Sequence, residues 1–275
     1  MKRCSVSRRS RTRHGSGCFS RFAAPNVREI SSRESARPGY LPGESPDLPR
    51  DRINAPQSPE ELLARAHAFA GLTLGELGRR LEVPVPPDLR RAKGWVGSTF
   101  EAALGATASS RAQPDFEHLG IELKTLPVTL QGAPLETTFV CHIPLADMAR
   151  VEWEESRVFR KLRRVLWVPV QGDREVPVER RRIGTAVLWS PSPEEERDLR
   201  FDWEELAGMI GAGRVEDITG HLGRYLQVRP KAADSHARRL GTGSDGAMIS
   251  TLPRGFYLRT AFTARILRQN FALPR

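Results

Sequence analysis

The segment from Gly120 to Leu126 sets the tightest limit on what this chain can become. Ile121, Leu123 and Leu126 give it the apolar content of a buried strand, yet Glu122 and Lys124 place opposite charges inside it. A charge withdrawn from water is costly unless it is paired, hydrogen-bonded or bound to a metal. Side chains alternate faces along a strand, so Glu122 and Lys124 project from the same side, about 7 Å apart along the chain. Pro114 and Asp115 come shortly before. That distance is long enough for a turn or a short strand to set the Asp115 carboxylate beside Glu122. The fold must therefore supply one wall bearing two carboxylates and an ammonium.

Such a wall suits phosphodiester hydrolysis. Paired carboxylates make a hard-oxygen site for Mg²⁺, which keeps several waters and accepts phosphate oxygens. A bound metal activates a water and neutralises the leaving oxygen, and Lys124 would orient the water or stabilise developing negative charge. The spacing alone arises by chance about 0.1 times in a chain of this length. The bland alternative is a solvated charged face with one salt bridge.

Elsewhere the pattern predicts a mixed α/β or α+β domain. Ser58, Pro59 and Glu61 form a helix start followed by Leu62, Ala66 and Phe69 at helical spacing. Thr73 to Glu76 repeats that capping grammar, and Pro84, Pro86 and Pro87 block continuation. A helical hairpin is expected there, then a short helix over Phe100 to Leu104. Strands are predicted over 119–126, 137–143, 165–170, 184–189 and 225–228, and helices over 194–210 and 260–271.

The chain carries 43 basic and 33 acidic residues over 275, a formal charge of +10. Such an excess suggests an anionic partner, but charge alone does not separate nucleic acid from a membrane surface or mere solubility. Residues 1–55 are rich in Arg, Ser, Pro and Gly without apolar periodicity. They are read as a disordered basic extension, or an over-called start, leaving 56–275 as the folded domain. No stretch is apolar enough to span a membrane. The three cysteines are scattered and build neither a disulfide framework nor a zinc cluster, which fits a cytoplasmic setting. His118 is expected at the surface, His142 as structural, and the five tryptophans in the core. The basic run Arg160, Lys161, Arg163 and Arg164 reads by default as a solvated face.

Pro114 and Asp115 with Glu122, Leu123 and Lys124 resemble the PD-(D/E)XK nuclease superfamily. Blocks in one order, KGWVG from Lys93, DFEHLGIELKT from Asp115, PLETTFVC from Pro134, DWEEL from Asp202, YLQVRPKA from Tyr225 and TLPRGFYL from Thr251, resemble its mismatch-repair endonucleases. The likeness runs from about Ser58 to Phe271. It implies a restriction-endonuclease-like mixed sheet flanked by helices, clamp-shaped, with a DNA cleft between two arms. It also implies a monomer that nicks the unmethylated strand of hemimethylated GATC, 5′ of the G, with Mg²⁺, under the activator MutL and, indirectly, MutS. Asp115, Glu122, Lys124 and Glu101 are the implied catalytic residues, with Asp115, Glu122 and the backbone carbonyl of Leu123 on the metal. Lys93, Phe139, Lys161, Arg229, Lys231 and Tyr257 are the implied DNA-binding residues, Arg229 and Lys231 in the reading loop and Tyr257 at the adenine methyl. Without the resemblance, Tyr257 would read as an aromatic packing the last strand on the terminal helix. The alternatives are a GATC restriction enzyme cutting both strands, a silent DNA-binding homologue and a structural scaffold.

Overall fold

A computed structural model describes residues 53–108, 112–231 and 236–271. The expected disordered extension, with Cys4 and Cys18, lies outside the described residues apart from its last positions, 53–55.

Helix α1 (Pro59–His67) starts as its sequence dictates, with Ser58 Oγ accepting from Glu61 N at 3.2 Å and Leu62 and Ala66 turned inward. Helix α2 (Leu74–Arg80) carries a full capping box between Thr73 and Glu76. The expected helical hairpin does not result. Helix α1 packs on α3 (Trp95–Leu104), whereas α2 packs on the 3₁₀ turn Val178–Arg180. The cause is backbone pairing: Gly71 N donates to Ile183 O and Leu74 N to Arg181 O, each at 2.9 Å, pinning the connection to a distant segment. Helix α3 also begins earlier than expected, at Trp95, because Gly94 turns the chain with φ 89°.

The single mixed sheet expected from the sequence is divided into small open sheets. In one, β1 (Glu122–Val128) runs parallel to β3 (Val165–Gln171), which pairs antiparallel with β4 (Val187–Trp189). In the second, β2 (Thr138–His142), β8 (Arg254–Leu258) and β5 (Leu226–Pro230) lie antiparallel in that order. A hairpin of β6 (Arg239–Thr242) and β7 (Met248–Thr251) forms the third. Strand β1 starts three residues later than predicted because Glu117–Leu119 is a 3₁₀ turn closed by Gly120 at φ 64°. That turn is tied by reciprocal backbone bonds between Phe116 and Ile121. Pro127 is tolerated in β1 because the strand lies at a sheet edge. Helix α4 (Arg157–Leu162) and the β6–β7 hairpin were not anticipated; helices α5 (Pro193–Gly211) and α6 (Thr260–Phe271) were.

Strand β3 is buried on both faces. Val165 and Trp167 enter one core with Trp153, Trp203, Phe256 and Phe262. Leu166, Val168 and Val170 enter another with Leu62, Phe100, Phe116 and Ile121. Strand β1 alternates likewise: Leu123 joins the second core, Leu126 and Val128 the first. Glu122 and Lys124 share the parity of Leu126 and Val128, so they look out along the first core towards α4 and β2. All five tryptophans are buried. Among the described residues, no helix is long and apolar enough to cross a membrane.

Candidate active site

Glu122 is only 1% exposed, and each of its carboxylate oxygens meets an ammonium. Lys124 Nζ donates to Oε1 at 2.5 Å and Lys161 Nζ to Oε2 at 2.8 Å. The same-face placement expected for Glu122 and Lys124 is thus realised. Asp115 is brought alongside by the turn over residues 116–121, and its Oδ2 accepts from Leu123 N at 2.8 Å. Its backbone oxygen accepts from Thr107 N at 2.9 Å and Ala108 N at 3.1 Å, fixing the residue from the other side. Asp115, Glu122, Lys124 and Lys161 therefore form one formally neutral group, with Glu122 and Lys161 buried and Asp115 and Lys124 half-buried.

Burial pushes the Asp115 carboxyl up to about 6 from 3.8, and the neighbouring Glu122 charge adds to the rise, only partly relieved by Lys124. Burial alone would lower Lys124, but Glu122 and Asp115 beside it more than offset this and raise it, so it is an ammonium at neutral pH. For Asp115 the folded value exceeds the unfolded one, so its contribution to stability is fully present below 3.8 and lost as pH rises through about 6. Asp115→Asn, which keeps an acceptor for Leu123 N, should therefore melt higher than the parent at pH 7 in EDTA. The gain should shrink through that window and vanish below it. Thermal melts across pH check this, and a gain that persists at pH 3 would contradict it.

Lys161 departs from the solvated basic face read in the sequence. It is 5% exposed, and its Nζ also donates to Gln113 O at 2.8 Å. On α4, capped by Ser156, Lys161 shares the inward face with Val158 and Leu162. That helical spacing was the available signal for its placement, masked by the surrounding arginines. Of the run, Arg163 is exposed and Arg160 and Arg164 are half-buried.

The other implied DNA residues fall largely into one cluster on the sheet β2-β8-β5. Phe139 pairs with Tyr257 across the ladder, their rings 5.3 Å apart and edge-on. Arg229 lies 5.8 Å from the Tyr257 ring and donates to Thr137 Oγ1 at 2.9 Å, while Lys231 Nζ lies 4.7 Å from the Phe139 ring. A bulge at Val140 lets Phe139 face outward while Val140 and Cys141 both enter the core. Gly255 makes room for the ring, since a Cβ there would sit 2.7 Å from Phe139 Cε2. Leu226, Val228, Phe256 and Leu258 face the core from the same strands. Tyr257 thus packs on Phe139 and beneath Arg229, rather than between the last strand and α6.

Two further implied residues lie on or just before α3. Lys93 is exposed, just ahead of the Gly94 turn that starts α3. Glu101, on α3, lies back along its own helix towards Gly97, and among the described residues no three His, Cys, Asp or Glu side chains converge as a metal cage. His118 is exposed, its Nε2 2.7 Å from Pro56 O, and Phe139 stacks edge-on against His142 at 5.1 Å. Cys141 is buried, which pushes its thiol up to about 12 and leaves it neutral near Lys124 and Lys161. Asp115, Glu122 and the Leu123 carbonyl are hard oxygen donors, and the two ammonium groups show that their surroundings accept positive charge. The donor set fits Mg²⁺, which needs few protein ligands.

Carboxylates balanced by ammonium groups, together with a face of exposed cations over half-buried aromatic rings, meet the requirements of phosphodiester cleavage on DNA, and the class so defined is that of the DNA endonucleases. A family model described as DNA mismatch repair enzyme MutH matches residues 104–202. The chain is 55% identical over 218 residues to the DNA mismatch repair protein MutH of Vibrio cholerae serotype O1, covering 79% of this chain and 99% of that one. It is 56% identical over 214 residues to the protein of that name from Pasteurella multocida, covering 78% and 96% of the two chains. For the Haemophilus influenzae protein the identity is 54% over 212 residues, covering 77% and 95%. The chain belongs to the MutH family of DNA mismatch repair endonucleases.

Proposed function

We propose that this endonuclease uses Mg²⁺ to nick the unmethylated strand at hemimethylated GATC sites, 5′ of the G, in methyl-directed mismatch repair. The observation that carries the reading is the group in which buried Glu122 is held by Lys124 and Lys161 beside Asp115. Asp115, Glu122 and the Leu123 carbonyl would hold the metal. When bound, Mg²⁺ supplies an activated water and neutralises charge at the phosphate. Lys124, protonated at neutral pH, stabilises negative charge developing there, and Lys161 holds Glu122 in place. Glu101 is assigned as a further acid of the site. Arg229 reads guanine through its fork, Lys231 and Lys93 supply positive charge towards the backbone, Lys161 acts at the DNA only through the Glu122 it holds, and Phe139 supports the reading face. The working unit is residues 56–275, acting as a clamp-shaped monomer around DNA in the cytoplasm, activated by MutL after MutS engages a mismatch. One centre per monomer accounts for a nick rather than a double-strand break.

The deciding experiment is a strand-resolved cleavage assay on duplexes with one GATC in unmethylated, hemimethylated and fully methylated form, with Mg²⁺ or EDTA. A nick confined to the unmethylated strand, absent in EDTA and stimulated by MutL, is expected. Cuts in both strands irrespective of methylation would assign the chain to the restriction class, and intact DNA throughout would leave a silent homologue.

Tyr257 is assigned to the adenine methyl. Its ring is fixed by Phe139 and Arg229, and burial raises its phenol, which stays protonated. Tyr257→Phe keeps the ring and should narrow the rate ratio between hemimethylated and fully methylated duplexes by a few fold, with Tyr257→Ala narrowing it further. Unchanged ratios in both variants would remove Tyr257 from that role.

A further inference from the structure

The block at Asp202 takes no part in the chemistry above, yet it holds a buried carboxylate, 2% exposed, on α5. Its Oδ1 accepts from Arg224 N at 2.7 Å, and its Oδ2 accepts from Tyr225 N at 2.6 Å and Leu226 N at 2.8 Å. The same loop is gripped from the other side by Arg259, the residue after β8. Arg259 Nε donates to Gly223 O at 3.0 Å, and its terminal nitrogen donates to Gly220 O at 2.7 Å and Leu222 O at 2.9 Å. A carboxylate thus collects the loop's N–H groups while a guanidinium collects its carbonyls. Gly223, at φ +74°, completes the turn, since a Cβ there would lie 1.9 Å from Leu226 O.

This latch sits where the β5–β8 ladder begins. Leu226 pairs with Leu258 at the latch, then Gln227 with Tyr257 and Arg229 with Gly255. A slip of one residue would turn a strand's side chains to the opposite face. The first pair therefore decides whether Arg229 and Tyr257 meet on the exposed side.

We infer that Asp202 and Arg259 are positioning residues for sequence reading, setting the register and height of Arg229 against Tyr257. The inference rests on the reading role proposed above for those two residues. Its test compares the parent, Asp202→Asn, Arg259→Lys and Arg229→Ala. For each, kcat/KM is measured on a GATC duplex and on duplexes with one base of the site changed, normalised to active fraction, alongside the melting temperature. Each latch variant should lower the ratio of cognate to altered-site cleavage about tenfold, as misplaced contacting groups do. A purely structural role would lower melting temperature and active fraction but leave that ratio intact, and this result in the latch variants, with the ratio reduced in Arg229→Ala, overturns the inference alone. An unchanged ratio in Arg229→Ala overturns the reading role and the inference with it. If Asp202→Asn does not fold, Arg259→Lys decides the question, because it retains the charge and loses only the fork.

Discussion

Glu122→Gln should abolish strand cleavage, a loss of at least about 10³-fold, while the variant still binds duplex DNA in Ca²⁺. The substitution is nearly isosteric, but it removes the charge that both lysines address. One of them must then face an amide donor instead of an oxygen. A buried ammonium left unpaired costs about 3–5 kcal/mol. The penalty falls mainly on Lys161, whose side chain is 6% exposed, against 16% for Lys124, which can turn towards solvent. Loss of the Glu122 charge also removes one of the causes that raise Asp115, so Asp115 should titrate lower in the variant. Nicking gels, binding in Ca²⁺ and thermal melts separate these effects. Cleavage within tenfold of the parent would show that Glu122 serves only the fold, and loss of both cleavage and folding would call for Glu122→Asp, which retains the charge.

Arg229→Ala carries the second large effect. A guanidinium fork on guanine is worth about 1–3 kcal/mol of discrimination, or roughly 5- to 150-fold between GATC and a site altered at the G. The side chain is exposed but already oriented, tethered to Thr137 and lying over the Tyr257 ring. Its removal should reduce cleavage of the cognate site far more than cleavage of altered sites. Lys231→Ala should behave differently, weakening binding to all sequences alike and flattening the salt dependence by about one unit of slope. Equal losses on all sites in Arg229→Ala would demote Arg229 to a backbone contact.

Local rules made much of this molecule legible. The caps at Ser58 and Thr73 start helices where expected because their hydrogen bonds are satisfied within a few residues. The terminal helix Thr260–Phe271 matches its expected span. The pairing of Glu122 with Lys124 followed from strand alternation alone. Less legible was whatever depended on distant partners. The hairpin of α1 and α2 failed because Gly71 and Leu74 bond to residues more than a hundred positions away. Lys161 was hidden because four basic residues in a short span read as solvated, and only the partner Glu122 makes its burial tolerable. The cluster of Phe139, Arg229, Lys231 and Tyr257 joins three strands far apart in sequence, so family likeness could suggest its members but no periodicity could assemble them. The bulge at Val140 and the space left by Gly255 are likewise tertiary facts.

Strand β3 contributes alternate side chains to both cores. The molecule is therefore indivisible in a practical sense. A fragment ending before Val165 would hold α1 to α3 and β1 with one side of their core stripped away. The complementary fragment would keep β3 with half its apolar side chains exposed to water. Neither piece is a self-sufficient folding unit, so the catalytic wall on β1 and the reading face on β2, β8 and β5 should be gained and lost in one cooperative step.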